Sequence, residues 1–161
     1  EISIIGVCLG AQLLAYACGG NVERLKDPNS LEELAEIGWS KINHKNNVSV
    51  RELTYFFNDP LEVLHWHSDR ILLPKSAELI ASSNRCREQF FRIKKKAFGL
   101  QFHLECDERM INKWIKKDVD FIKEALGFEG QALLEKQTRK YCYKTQQKRE
   151  LFIDKLLEFI K

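Results

Sequence analysis

Two short stretches of this 161-residue chain hold side chains that can do covalent chemistry. In "ISIIGVCLGAQLLAYACGG" an apolar run of strand type stops at Gly6, and a stretch of helical spacing follows from Gly10. Cys8 stands at the corner between them. A strand that passes into a helix with almost no loop strains the backbone of its corner residue, and Gly6 and Gly10 would remove side chains that clash there. The thiol then projects freely above the end of the strand. The partial positive charge of a helix N-terminus favours the thiolate, so the Cys8 pKa should fall. The backbone N–H of Leu9 points where an oxyanion would form. A buried structural cysteine on a glycine turn fits the same letters, so the corner alone does not decide.

A thiol nucleophile wants a base, and the base wants a group that orients it. Of the four histidines, His44 lies in the polar "NHKNN" and reads as a surface residue. His65 sits inside "LEVLHWH" as a core or edge residue, and His67 lies at its end. His103 closes "AFGLQFHLE", with Glu105 two positions later. In a strand those two residues face the same side, where the carboxylate could fix the imidazole tautomer that takes the thiol proton. A polar strand terminus is the plainer reading of the same pair.

The elements that must position these groups follow from periodicity. "ISIIGV" reads as a strand buried on both faces, the parallel-sheet type. "LGAQLLAYACGG" reads as a helix with a glycine stop. "NVERL", "IGWSKI", "LEVLHWH", "AELIASS", "EQFFRIK" and "AFGLQFHLE" read as strands. "DPNSLEELAE" and "SDR" read as loops, and "VRELTYF" as a short helix or loop. The period changes at Asp107, where "DERMINKWIKKDVDFIKEAL" puts Met110, Ile111, Trp114, Ile115, Val119 and Ile122 on one helical face that ends at Gly127. Residues 131–161 read as one long helix or two shorter ones. The result is α/β: an open, twisted, mostly parallel sheet flanked by helices, with further helices at the C-terminus. One domain spans 1–161, with a site-bearing part at 1–105 and helices at 106–161. Trp39, Phe56, Phe57, Trp66 and Phe102 read as core aromatics.

Composition narrows the function. A formal net charge of +3, spread among acidic residues, gives no sign of nucleic-acid binding. No apolar run approaches a membrane span. Five cysteines without metal-like spacing read as reduced thiols of a cytoplasmic protein, and neither a metal nor a cofactor is expected. The chain opens with Glu on a buried-looking strand, so an upstream segment is expected to be missing.

Taken together, "GVCLGAQLLA", Gly38 and Trp39 in "EIGW", "HWHSD" at 65–69, "LIASS" at 79–83 and "GLQFHLE" at 99–105 resemble the class I, or triad, glutamine amidotransferase domain. The set is most similar to the stand-alone branch near the glutaminase domain of GMP synthase. The resemblance implies a flavodoxin-like fold, here truncated at its N-terminus. It implies that Cys8 attacks the glutamine side-chain amide and releases ammonia, and that the glutamyl thioester is then hydrolysed. His103 would be base and acid, Glu105 its orienter, and Leu9 N–H an oxyanion donor. Gln12 would line the glutamine pocket, and His67 and Ser68 would meet the substrate's α-amino and carboxylate ends. A γ-glutamyl peptide hydrolase uses the same triad. A truncated, inactive binding module is the third expectation. The implied partners are a second copy covering the open sheet edge and a separate, ammonia-accepting synthetase. Three departures from the family pattern stand out. Leu104 replaces a proline that stiffens the His–Glu turn, Cys106 follows Glu105 directly, and the glycine-rich loop that supplies a second oxyanion N–H is not present.

Overall fold

The first strand, β1 (Ile4–Val7), runs into α1 (Leu9–Ala17) with only Cys8 between them. In the computed structural model of the chain, residues 2–45, 49–55 and 61–161 are described. The chain continues through β2 (Asn21–Arg24), β3 (Glu36–His44), the short α2 (Arg51–Thr54), β4 (Leu61–His67), β5 (Asp69–Leu72), β6 (Ala77–Ser82), β7 (Phe90–Ile93) and β8 (Ala97–Leu100). Three helices follow: α3 (Glu108–Lys117), α4 (Val119–Leu126) and α5 (Gly130–Phe159). Phe56 and Phe57, expected among the core aromatics, lie outside the described residues.

Six strands form one sheet in the order β1-β8-β7-β6-β3-β4, and β2 and β5 pair as a separate two-stranded ribbon. The fold is α/β, as expected, and the sheet is mixed. β1 pairs in parallel with β8, from Ile4 opposite Ala97 to Val7 opposite Leu100. The other described pairings are antiparallel. This departs from the mostly parallel sheet expected from the apolar strands. The physical reason is connection length: β7 and β8 are joined by the tight turn at 94–96, and a turn that short can only reverse the chain. The sheet also curls. The N–H of His103 donates to Leu64 O at 2.8 Å, so the segment after β8 meets β4, at the opposite end of the sheet order from β1. That closure brings the end of β4 over the Cys8 corner.

Alternation along β7 separates two cores, because neighbouring side chains face opposite sides of a sheet. Phe91 packs on the α1 side with Ala11, Leu14, Ala15 and Ile71. Phe90 faces the α5 side with Ile42, Phe98, Phe102, Phe152 and Leu156. Each such fully buried side chain contributes about 1.5–3 kcal/mol. A third cluster joins Trp39 and Leu64 to Ile111, Ile115, Ile122 and Leu134 of the helices. Trp39 and Phe102 are therefore core residues, as expected, while Trp66 is only half-buried.

Two elements differ from the sequence reading. Asp69 and Arg70, read as part of the loop "SDR", open the strand β5 paired with β2. The helix expected across 107–126 breaks at Asp118, whose side chain accepts a hydrogen bond from Trp66 Nε1 at 3.0 Å. Of the two readings for residues 131–161, the structure takes the single long helix: α5, about 45 Å at the usual rise. Among the described residues no helix is long and apolar enough to cross a membrane.

Candidate active site

Cys8 has φ 50° and ψ −108°, a left-handed conformation that an L-residue adopts only under constraint. Strain of this kind costs of order 1–3 kcal/mol and is maintained by its surroundings. Two of them are visible. The Cys8 N–H donates to Leu100 O at 2.7 Å, extending the β1–β8 ladder to the corner. Cys8 O accepts from Gln12 N at 3.1 Å, closing the first turn of α1. The two glycines are not equivalent. A Cβ on Gly6 would lie 2.5–2.8 Å from backbone atoms of Gly10 and Ala11, so the helix could not approach the strand. A Cβ on Gly10 would meet nothing within 4 Å, which corrects the expectation that both glycines relieve a clash. Leu9 is the first residue of α1, where helical geometry leaves the N–H without an intrahelical partner.

His103 and Glu105 meet, though not as neighbours on one strand face. β8 ends at Leu100, and the chain bends through 101–105. The bend sets His103 Nδ1 2.6 Å from Glu105 Oε1. A carboxylate only accepts, so Nδ1 carries the hydrogen and Nε2 is left to hold or release a proton. Trp114 packs edge-on against the ring at 5.0 Å. Burial works to lower the His103 pKa, but hydrogen bonds with the thiols of Cys106 and Cys8 and with Glu105 outweigh it and raise it to about 11. Glu105 moves the other way: burial opposes its charge, and the His103 hydrogen bond and charge hold it below the usual carboxylate range. His103 and Glu105 are thus brought together, and the Cys8 thiol acts on the same ring.

The leucine at 104 does something a proline could not. Its N–H donates to Glu105 Oε2 at 2.9 Å, so both carboxylate oxygens are fixed. Its carbonyl, with that of Cys106 at 3.0 Å, accepts from the buried guanidinium of Arg149 on α5. The expected loosening of the turn is offset from both sides. Cys106 is buried, with its thiol 3.7 Å from Glu105 Oε1, and burial pushes its pKa up.

Gln12 is buried on α1, its Nε2 3.3 Å from Gln101 Oε1, and Gln101 Nε2 points to Cys8 Sγ at 3.7 Å. Sequence reasoning alone passes over Gln101. Its signal is parity: a polar residue two before His103 in an apolar run. His67 and Ser68 stand apart from the thiol through their side chains. His67 turns into a buried cluster with Glu36 and Gln89. Ser68 Oγ accepts from Arg24 at 2.6 Å and its carbonyl accepts from Leu25 N at 2.8 Å. The backbone just before them does reach the corner, with Trp66 O 4.0 Å from Cys8 Sγ. Of the other histidines, His65 is fully buried and His44 is half-buried at the end of β3.

A thiol on a strained corner, an imidazole beside it and a carboxylate behind the imidazole make a nucleophile, a proton carrier and an orienter. The sequence profile described as "Glutamine amidotransferase class-I" matches residues 1–119. The chain is 34% identical over 107 residues to the glutamine-hydrolysing GMP synthase subunit of Methanobrevibacter smithii, covering 65% of this chain and 51% of that protein. It is 30% identical over 129 residues to the protein of the same name from Saccharolobus solfataricus, covering 79% and 60%. The structure superposes on a glutamine amidotransferase from Thermotoga maritima with a TM-score of 0.73 at 31% identity, covering 97% of this chain and 61% of that one. The chain therefore spans between half and two thirds of the length of these proteins.

Proposed function

The chain belongs to the class I glutamine amidotransferase family, and from that premise we propose that it hydrolyses the side-chain amide of glutamine through a thioester on Cys8. One observation carries the reading: the Cys8 thiol is held at φ 50° on the corner, close enough to raise the pKa of an imidazole whose Nδ1 is 2.6 Å from Glu105 Oε1.

The Cys8 thiolate attacks the amide carbon, and the carbonyl oxygen takes up negative charge facing the Leu9 N–H. Collapse of that intermediate breaks the C–N bond. His103, protonated at neutral pH with its pKa near 11, passes its Nε2 proton to the departing nitrogen. Ammonia leaves and a glutamyl thioester remains. His103 then accepts a proton from water as the water attacks, and glutamate leaves as the thiolate re-forms. Glu105 holds the ring in the orientation that serves both transfers. Gln12 and Gln101 line the thiol side of the pocket, and the backbone at His67 and Ser68 meets the α-amino and carboxylate ends of glutamine. Likeness to glutamine-hydrolysing GMP synthase subunits supports an ammonia-accepting synthetase as the partner. A reducing, cytoplasmic setting suits five cysteines that are all unpaired.

The test is ammonia release from glutamine, with γ-glutamyl peptides as the competing substrates. Glutamine turnover that disappears in Cys8→Ala is expected. Cleavage of γ-glutamyl peptides without glutamine turnover, or turnover that survives Cys8→Ala, would overturn the reading.

A further inference from the structure

Behind the segment that carries His67 and Ser68 lies a second group of polar side chains that the thiol chemistry does not use. Glu36 of β3 pairs directly with His67 of β4, and His65 lies two residues earlier on the same strand face. Glu36, His65, His67 and Gln89 are each at most 5% exposed. Glu36 Oε2 is 3.2 Å from His67 Nε2 and 3.5 Å from His65 Nδ1. One donor atom from each of the three residues lies within 4.8 Å of the other two.

We propose that Glu36, His65 and His67 bind a zinc-class divalent cation, with Gln89 as a fourth donor. Three observations carry this. First, zinc held at 2.0–2.1 Å by tetrahedral nitrogen and oxygen ligands sets them roughly 3.3 Å apart, which the 3.2 Å and 3.5 Å separations match. Second, His67 Nδ1 is 2.9 Å from Asp69 O, an acceptor, so Nδ1 carries the hydrogen. Nε2 then presents a lone pair to a carboxylate oxygen, and a positive charge must sit between them. A backbone carbonyl on Nδ1 is also the usual support for a histidine that ligates through Nε2. Third, a proton at that point would satisfy His67 alone. Neither ring nitrogen of His65 has a partner in hydrogen-bond geometry among the described residues; Glu36 Oε2 lies 3.5 Å from Nδ1, and the Ser40 backbone also acts on the ring. Gln89 Oε1 is equally unpartnered. Its amide already lies at the cluster, with Nε2 2.7 Å from Glu36 Oε2 and 3.5 Å from His67 Nε2, and rotating the amide would bring the oxygen there. One cation takes up all of these lone pairs. Glu36 also lines a cavity of about 440 Å³, together with Asn84 and Arg85. The ion would lock β3 and β4 beneath the 66–68 backbone that passes the thiol.

The test uses the whole chain, stripped with a chelator, dialysed and titrated with zinc chloride and, separately, cobalt chloride. One zinc per chain is expected. It should persist in Cys106→Ser and weaken at least about a hundredfold in Glu36→Gln and in His65→Gln. Cobalt should give the intense visible bands of a four-coordinate site without a sulfur-to-cobalt charge-transfer band, since no thiol ligates. This spectrum is read on the wild-type chain and does not depend on the variants folding. Absence of stoichiometric binding would overturn the proposal and leave Glu36 and His67 as a proton-bridged pair. So would a charge-transfer band with binding lost in Cys106→Ser, which would place the ion on His103, Glu105 and Cys106.

Discussion

Arg149 links the C-terminal helix to the turn that holds Glu105, and its removal should be felt in both stability and rate. The side chain is 5% exposed. Its guanidinium donates to Leu104 O, to Cys106 O at 3.0 Å and to Cys142 O at 3.0 Å, while Nε reaches Thr145 Oγ1 at 3.1 Å. Its guanidinium carbon also lies 5.6 Å from the centre of the Trp39 ring. Arg149→Met keeps the unbranched stem about as far as Nε and removes every donor. Each buried carbonyl left unsatisfied costs about 1–3 kcal/mol, and because the three share one donor their costs do not simply add. A loss of about 3–5 kcal/mol is expected, which for a chain of this size lowers Tm by roughly 10 °C. Two of the three carbonyls flank Glu105, so the His103–Glu105 contact should loosen as well. Among molecules that remain folded, kcat should fall about 10- to 100-fold with KM little changed, because Arg149 is a positioning residue and touches no substrate. Arg149→Lys, with a single ammonium in place of the fork, should recover part of the stability and less of the rate. Thermal unfolding by circular dichroism and steady-state glutamine hydrolysis give the two readouts. A folded Arg149→Met chain with unchanged Tm and unchanged kcat would refute the reasoning.

Other predictions concern the corner and the pair. Gly6→Ala should destabilise by about 2 kcal/mol or more, since its Cβ meets backbone that cannot move away, whereas Gly10→Ala should stabilise α1 by up to about 1 kcal/mol; equal effects in thermal unfolding would contradict the corner geometry. Glu105→Gln should bring the His103 pKa down from about 11, seen by NMR of the ring as titration at lower pH than in the wild type. The raised pKa also sets a pH dependence: the stabilisation is complete below the ordinary histidine value of 6.5 and is lost as pH rises through about 11, so Glu105→Gln should show a weaker alkaline loss of Tm. Leu104→Pro removes the N–H that holds Glu105 Oε2 and should lower kcat; an unchanged rate would show that the Arg149 contacts alone hold the turn.

The corner was legible because its constraint is local: strand, cysteine and helix are consecutive, and Gly6 sits where the helix backbone closes in. The His–Glu pair was legible for a reason that only partly holds, since it is joined by a bend rather than by strand alternation. β5 is not legible because four residues beginning with Asp-Arg carry too little alternation to mark a strand. Strand direction is not legible, because an apolar run reports burial on both faces, which a curled antiparallel sheet covered by helices supplies as well as a parallel one. The break at Asp118 depends on Trp66, 52 residues away, and two of the Arg149 contacts, to Leu104 and Cys106, reach more than 40 positions back. The Glu36 cluster likewise gathers side chains up to 53 positions apart. Such pairings have no local signature.

The most direct measurement is reaction of the purified chain with 6-diazo-5-oxonorleucine, a glutamine analogue that alkylates an activated cysteine, followed by intact mass and peptide mapping. A single adduct on Cys8, blocked by excess glutamine and lost in His103→Ala, is the predicted result. No adduct, or labelling spread over Cys18, Cys86, Cys106 and Cys142, would contradict the assignment of Cys8 as the nucleophile of a formed glutamine site.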